Sequence, residues 1–404
     1  MSEDKALEQL APSPAAEKLG RNQLVRQLLV TAVAFVLAFI AGAIVMILAD
    51  QAVLRTFAYF FAQPGDALAA SWEKISSAYG ALLRGSVGSV RALTETTAQA
   101  APLICAGLGV GLAFRAGLFN IGGQGQAIWG AIFGAWIGFS VTGLPMILHI
   151  PLALLFAITA GALWGGIAGF LKAKAGAHEV IVTIMLNWIG IKMLLFLLST
   201  PMLQAPGRRD PISPILEWTA TFPRVAGTRL HLGFFLALLA ALVVWWVLER
   251  SSLGFRLRAV GFNPHAAETA GINVPRITIV AMMFAGGLAG LAGAQMAMAP
   301  TMLTGFPTAL SLGIVGTVGF DAITVALLGR SKPLGIVLAG LLFGALKAGG
   351  LTMQAQAGTP QELISLIQAL IVLFVAAPAF VQWLVPLLRE RRRTARTSPK
   401  AVTA

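Results

Sequence analysis

The side chains that usually perform chemistry are few and scattered in this chain. Its four histidines, His149, His178, His231 and His265, lie far apart, and no HExxH spacing sets two of them on one helical face for a metal. No GxSxG turn accompanies a nucleophile, base and orienting acid. The one cysteine, Cys105, sits in an apolar run, which excludes an internal disulfide and a Cys-rich metal site. A GxxxxGK[ST] phosphate loop is absent, so the chain cannot hydrolyse nucleotide by that route, and it is expected to hold no cofactor. What remains is polar material inside apolar runs. Gly117–Gln126, GLFNIGGQGQ, breaks one run with Asn120, Gln124 and Gln126, while Asn187, Trp188 and Asp321 stand in others. These amides are neutral donors and acceptors suited to the hydroxyls or base edges of an uncharged solute. Phe114, Phe119, Trp129 and Trp188 lie near enough in sequence to stack a ring. The competing reading of GLFNIGGQGQ is a simple turn anchored by Arg115, and that of Asp321 is an ion pair or helix cap.

The elements that must position these groups are membrane helices. Hydrophobic residues make up 57% of the chain and charged ones 11%, against roughly 25% charged in soluble domains. The formal charge of +13 gathers at the ends of apolar runs without a basic, aromatic-interleaved face, so it reads as membrane orientation and not as nucleic-acid binding. Runs long enough to cross a core of about 30 Å fall at 28–49, 94–113, 120–141, 148–171, 179–199, 231–248, 277–298, 307–328, 334–352 and 361–386. The expectation is therefore an all-α polytopic membrane protein of about ten transmembrane helices. An even number puts both termini on one side. Alternate assignment gives 19 Lys and Arg to the inner side and 8 to the outer loops, which places both ends in the cytoplasm. The anomaly is the outer loop at 200–230, with Arg208, Arg209, Arg224 and Arg229. Residues 1–26 read as a cytoplasmic tail, 27–388 as the transmembrane domain, and 389–404 as a basic cytoplasmic tail. Within that domain, 50–91 reads as an external amphipathic segment.

A long polar interruption, 249–276, separates two of these runs. Asn263 can cap a helix, Pro264 suits its first position, Ala266, Ala267 and Ala270 favour it, and Gly271 can close it in the left-handed conformation. A helix of about two turns is marginal alone, so a docking element completed by a partner is expected here. Small alanines would seat it, Arg256 and Arg258 would anchor its flanks, and Glu268 would face solvent or a basic partner. Glycines four apart recur at Gly130, Gly134 and Gly138, at Gly161, Gly165 and Gly169, at Gly286 and Gly290, and at Gly340 and Gly344, each a flat stripe for close packing. AGALWG at 160–165 echoes AGLLFG at 339–344 on helices of opposite direction, as an inverted repeat would.

Four stretches together, RAGLFNIGGQGQ at 115–126, AHEVIVTIMLNWI at 177–189, RAVGFNPHAAETAGIN at 258–273 and GFDAITVALLGRSKPLGI at 319–336, resemble the permease subunits of bacterial ABC importers for simple sugars and nucleosides, in the branched-chain amino acid and ribose permease superfamily. The form of GLFNIGGQGQ is closer to the nucleoside branch. The resemblance implies a bacterial inner-membrane location, a cytoplasmic ABC ATPase carrying ATP and Mg, a second and usually non-identical permease, and an extracytoplasmic solute-binding protein. It also implies that 254–276 holds the helix that couples to the ATPase. A stand-alone secondary transporter would need its own coupling-ion site, such as clustered intramembrane acids, and Asp321 is nearly solitary. A membrane enzyme would need a convergent acid, base or metal cluster.

Overall fold

The computed structural model describes residues 14–301, 306–360, 362–377, 380, 381 and 384; the basic tail expected at 389–404 and most of the N-terminal tail lie outside them. Fourteen helices run through the described residues. They are α1 Pro14–Ala49, α2 Gln51–Phe57, α3 Pro64–Val87, α4 Val90–Arg115, α5 Gly123–Ser140, α6 Met146–Ala175, α7 Glu179–Leu198, α8 Leu232–Arg250, α9 Ser252–Phe262, α10 Pro264–Thr269, α11 Val274–Met298, α12 Val318–Leu328, α13 Pro333–Ala357 and α14 Glu362–Ala376. Two short strands, β1 Ile212–Ile215 and β2 Ala309–Ser311, pair antiparallel with Ile212 opposite Ser311.

Seven helices are long and apolar enough to cross a membrane: the 29–49 part of α1, then α4, α6, α7, α8, α11 and α13. The other three expected crossings are not among these seven. The run at 120–141 begins its helix only at Gly123, after the glycine-broken stretch that precedes it. The run at 307–328 is helical only from Val318, because Ala309–Ser311 pair with β1 and Gly316 takes a φ of +51° that ends regular backbone before the helix starts. The last run is described as helix over Glu362–Ala376.

The core is a set of close helix crossings made by small residues. Gly161 and Gly165 of α6 press on the backbone of Gly286, Gly290 and Met282 of α11, and Gly130 of α5 presses on Gly290. A methyl at Gly293 would fall well inside contact distance of the Ala127 carbonyl. The stripes read from spacing are therefore true contact lines, and α11 sits between α5 and α6. Ala100 and Ile104 of α4 meet Gly344 and Gly340 of α13 in the same manner.

Residues 50–91 form α2 and α3, and α3 lays Ala67, Ser71, Ala78, Ala81, Leu82 and Ser86 inward. Asp50 accepts from the Ala52 N–H at 2.9 Å and pairs with Lys74 at 2.8 Å, and that ammonium holds the Asp50 carboxyl below its ordinary value. Lys74 also donates to the Ala357 carbonyl at 3.0 Å, which ties α3 to the end of α13. The basic loop after α7 is partly neutralised within the chain. Arg208 pairs with Asp210 at 2.9 Å, and Arg229 pairs with Glu95 at 3.0 Å while donating to the Pro300 carbonyl at 2.8 Å.

Candidate translocation site

Two short helices start against each other in the middle of the bundle. Gly125 of α5 lies against Leu186, Asn187 and Gly190 of α7, the last two being the ninth and twelfth of that helix's twenty residues. Gly319 of α12 abuts the backbone of Gln124 at the same level. From this meeting point the helices diverge. The far part of α5 reaches Leu216 and Ala220 beside the strands, and α12 runs to the turn at Ser331, whose carbonyl accepts from Arg115 Nε at 3.1 Å. One end of the bundle is thus the sheet face, and the other carries α9 and α10.

Helices that begin inside the bundle leave first-turn backbone N–H groups with no partner in their own helix, and here Gly122, Gly125 and Gly319 are buried. The amide side chains fill that deficit. Asn187 Oδ1 accepts from the Gly125 N–H at 2.8 Å, Asn120 Oδ1 from Gly122 at 2.9 Å, and Gln124 Oε1 from Gly319 at 3.0 Å. Their amino groups are engaged too. Asn187 Nδ2 donates to the Ile121 carbonyl at 2.9 Å, Gln124 Nε2 to Gly316 at 2.6 Å, and Asn120 and Gln126 bond each other at 3.1 and 3.2 Å. All four side chains are 5% exposed or less. Spacing brought Asn120, Gln124, Gln126 and Asn187 forward as groups for a solute; the structure brings them together and satisfies them within the chain.

Two N-termini facing one another concentrate positive dipole ends at one depth. Asp321, in the first turn of α12, faces that field, accepts from Thr317 Oγ1 at 2.9 Å and pairs with Lys347 at 2.6 Å. Lys347 is the fifteenth of the twenty-five residues of α13, so the pair is held inside the bundle with roughly a quarter of each side chain exposed. The preceding turn is uncovered: Leu312, Gly313, Gly316, Thr317 and Phe320 are all exposed. Phe119 is exposed and stacks on Phe114 with ring centroids 5.1 Å apart, and Trp188 is exposed on the outer side of α7. Trp129 packs against Trp164 at 4.8 Å, within the groove between α5 and α6 and away from this turn.

At the end that carries α9 and α10, the capped helix forms as its residues require. Asn263 Oδ1 accepts from Ala266 N–H at 3.1 Å, Pro264 takes the first helical position, Ala270 is the C-cap, and Gly271 follows at φ +81°. Ala266, Glu268 and Ala270 are exposed with Arg256, while Arg258 is half-buried. Ala267 is 4% exposed and packs inward on the chain's own core. Sequence reasoning did not single out Phe262, which stands 94% exposed beside the helix; its position between Gly261 and Asn263 in a polar interruption was the available signal. It also missed Gly261, pressed so closely on Arg115, Ala116 and Gly117 that a Cβ would overlap their backbone. Sequence reasoning passed over Lys347 as well, although a lone lysine in an apolar run calls for an acid partner.

The chain matches the family model described as branched-chain amino acid transport system / permease component over residues 92–376. It is 38% identical to the guanosine ABC transporter permease protein NupP of Bacillus subtilis, covering 90% of this chain and 97% of the relative. It is 32% identical to the nucleoside ABC transporter permease protein NupB of Lactococcus lactis over 95% and 100% of the two chains. The glucose ABC transporter permease protein TsgB13 of Haloferax volcanii is 34% identical over 78% and 84%. Each of the two bacteria also carries a second matching permease, NupQ and NupC respectively. No solved structure matches the chain. The family match and the identity over nearly the whole of both chains leave one assignment: this chain belongs to the branched-chain amino acid transport system / permease component family and is a non-catalytic permease subunit of an ABC transporter.

Proposed function

We propose that this chain forms half of the translocation path of an importer for a nucleoside or a simple sugar, with a nucleoside the first choice. The three relatives compared above carry those solutes in their descriptions. The observation that carries the path is the uncovered turn 312–317 at mid-depth, because exposed non-helical backbone survives at that level only against protein or a water-filled passage. The passage runs along this turn, Phe320 and Asp321, with Phe119 and Trp188 on neighbouring surface. Asn120, Gln124, Gln126 and Asn187 shape it from behind by fixing the two half-helices. A second permease covers the turn, as the paired relatives in two bacteria suggest.

The ATPase, holding ATP and Mg, docks on α9 and α10, where Phe262 anchors it and Arg256 and Glu268 flank the seat. Its movement reaches the path through Gly261, which touches the turn leading into α5, and through Arg115, which joins that turn to the end of α12. Both termini and the docking face are cytoplasmic, and the binding protein delivers solute to the sheet face. With α5, α12 and α14 the seven long helices make about ten membrane passages. We further read α4–α7 and α11–α14 as inverted copies: each holds a half-helix second in order and one of the AGxxxG-like echoes third.

Uptake by cells producing the chain with the transporter genes beside it tests the function. Labelled guanosine or glucose should accumulate in an ATP-dependent manner. Phe262→Asp should abolish co-purification of the ATPase while leaving the permease in the membrane, and Arg209→Cys should react with an impermeant thiol reagent from outside. Import of neither solute refutes the substrate class, and labelling of Arg209→Cys only after the membrane is opened refutes the orientation.

A further inference from the structure

Beside the Asp321–Lys347 pair lies a cavity of about 310 Å³ that the preceding sections leave unused. Its size is at the lower end of the range for small-molecule sites, roughly 300–1,000 Å³. Gln99 of α4, Thr317, Lys347 of α13, and Glu362, Ser365 and Gln368 of α14 line it. The spacing of the last three is i, i+3, i+6, a polar stripe along about 9 Å of one helix. Thr317 immediately precedes α12, so the cavity borders the uncovered turn. An otherwise apolar bundle has therefore turned polar residues of three helices and one turn toward a single space, against the expense of placing polar groups in a membrane.

The bonding capacity left open in this space is mixed. Lys347 has two N–H groups beyond its bond to Asp321. Gln99 and Gln368 use their amino groups, on Glu95 at 3.0 Å and on the Phe343 carbonyl at 3.5 Å, and keep their carbonyl oxygens free. The side chains of Glu362 and Ser365 have no partner among the described residues. No aromatic ring is among the lining residues, so a flat base gains no stacking here. Adjacent donors and acceptors without an aromatic face suit a ring carrying vicinal hydroxyls, each of which donates one hydrogen bond and accepts others.

We infer that this cavity binds the hydroxylated ring of the transported solute, the ribose of a nucleoside or the pyranose of a sugar, with Ser365 and Gln368 in contact and Lys347 held in place by Asp321. The inference rests on the nucleoside-or-sugar reading above. It also accounts for one permease framework serving solutes whose common feature is a polyhydroxylated ring.

The complete transporter in proteoliposomes provides the test. If neither guanosine nor glucose is taken up by the unaltered transporter, the nucleoside-or-sugar reading falls and this inference with it. With uptake established, Gln368→Leu should raise KM for the transported solute about tenfold, the loss expected for one hydrogen bond to a neutral group. The analogue 2′,3′-dideoxyguanosine should compete with guanosine about tenfold less well for the same reason. Ser365→Cys supplies a reading that does not depend on transport: Cys105 is buried, so the new thiol is the reactive one. An impermeant methanethiosulfonate should label it, and guanosine or glucose, whichever is transported, should slow the labelling severalfold. Labelling unaffected by a solute that the same vesicles transport overturns the assignment. An unchanged KM in Gln368→Leu together with equal competition by the dideoxy analogue overturns it too.

Discussion

Replacing Lys347 with Met asks whether the mid-depth ion pair is held by mutual need. The Lys347 ammonium lies 2.6 Å from Asp321 Oδ2, with the two side chains 25% and 22% exposed. Removing one partner strands a carboxylate at the junction of two half-helices, and breaking a buried pair in this way costs about 3–5 kcal/mol. Partial exposure and the bond from Thr317 Oγ1, at 2.9 Å, argue for the lower end, about 3 kcal/mol. Asp321→Asn should cost a similar amount by leaving the ammonium alone. The double variant strands neither charge and should lose only about 0–1 kcal/mol, since a neutral replacement of a buried pair is often near-neutral. The predicted coupling is therefore large compared with the ~0.3–0.5 kcal/mol within which independent sites add. Unfolding of the purified chain in mixed micelles, titrated with SDS, measures all three variants. If the two single losses simply add in the double variant, the pair is not mutually dependent and the positioning of Lys347 by Asp321 is wrong.

Gly293→Ala should destabilise by about 1–3 kcal/mol, as overpacking does, because its methyl meets the Ala127 backbone, whereas Gly65→Ala has open space and should be neutral within about 0.5 kcal/mol in the same SDS titration. Asn187→Leu leaves the Gly125 N–H and the Ile121 carbonyl without partners and should cost about 2–4 kcal/mol; a loss under about 0.5 kcal/mol would show that these bonds do not hold the half-helix. Burial, aided by the charge of Arg229, lowers the pKa of His231 to about 4. The unfolded chain, with its histidine near 6.5, binds more protons between these values. Stability should therefore be full above about pH 6.5 and fall by up to ~3 kcal/mol as pH drops toward 4. His231→Asn, which keeps an acceptor for the Gly233 N–H, should flatten the melting temperature over that interval, and an unchanged pH profile would refute the assignment.

Length and hydropathy made the seven full helices legible, since each is an uninterrupted apolar run and lipid permits few alternatives. The short helices were harder for a physical reason. Ala309–Ser311 are apolar or small and extend the run that ends in α12, so composition cannot separate them from the helix. What stops the helix is their pairing with β1, a partner about a hundred residues earlier in the chain. Similarly, mixed charges and aromatic residues made 50–91 look interfacial, but the buried stripe of α3 depends on α13, whose Gly349 accepts Leu82. Glycine stripes, by contrast, were readable at once because spacing of four defines one helical face whatever the partner.

At the site, residue types were legible and their roles were not. An amide in an apolar run announces an unmet polar demand, but it does not say whether a solute or the protein's own backbone makes that demand. Here the backbone does, since Gly122, Gly125 and Gly319 are buried at the starts of α5 and α12, and Asn120, Asn187 and Gln124 each accept one of their N–H bonds. Lys347, Thr317 and Ser365 belong to segments separated by up to 48 positions and meet only after α12, α13 and α14 have folded back on one another. The same logic explains Ala267. Its helix was expected to rest on a partner through all three alanines, yet a two-turn helix needs one face on its own chain to be held in place, and Ala267 provides that face while Ala266 and Ala270 remain outward. On the proposed docking role, a helix seated in this way would move as a unit, and Gly261, in contact with Arg115 and Gly117, would carry that movement to the start of α5 that the amides hold.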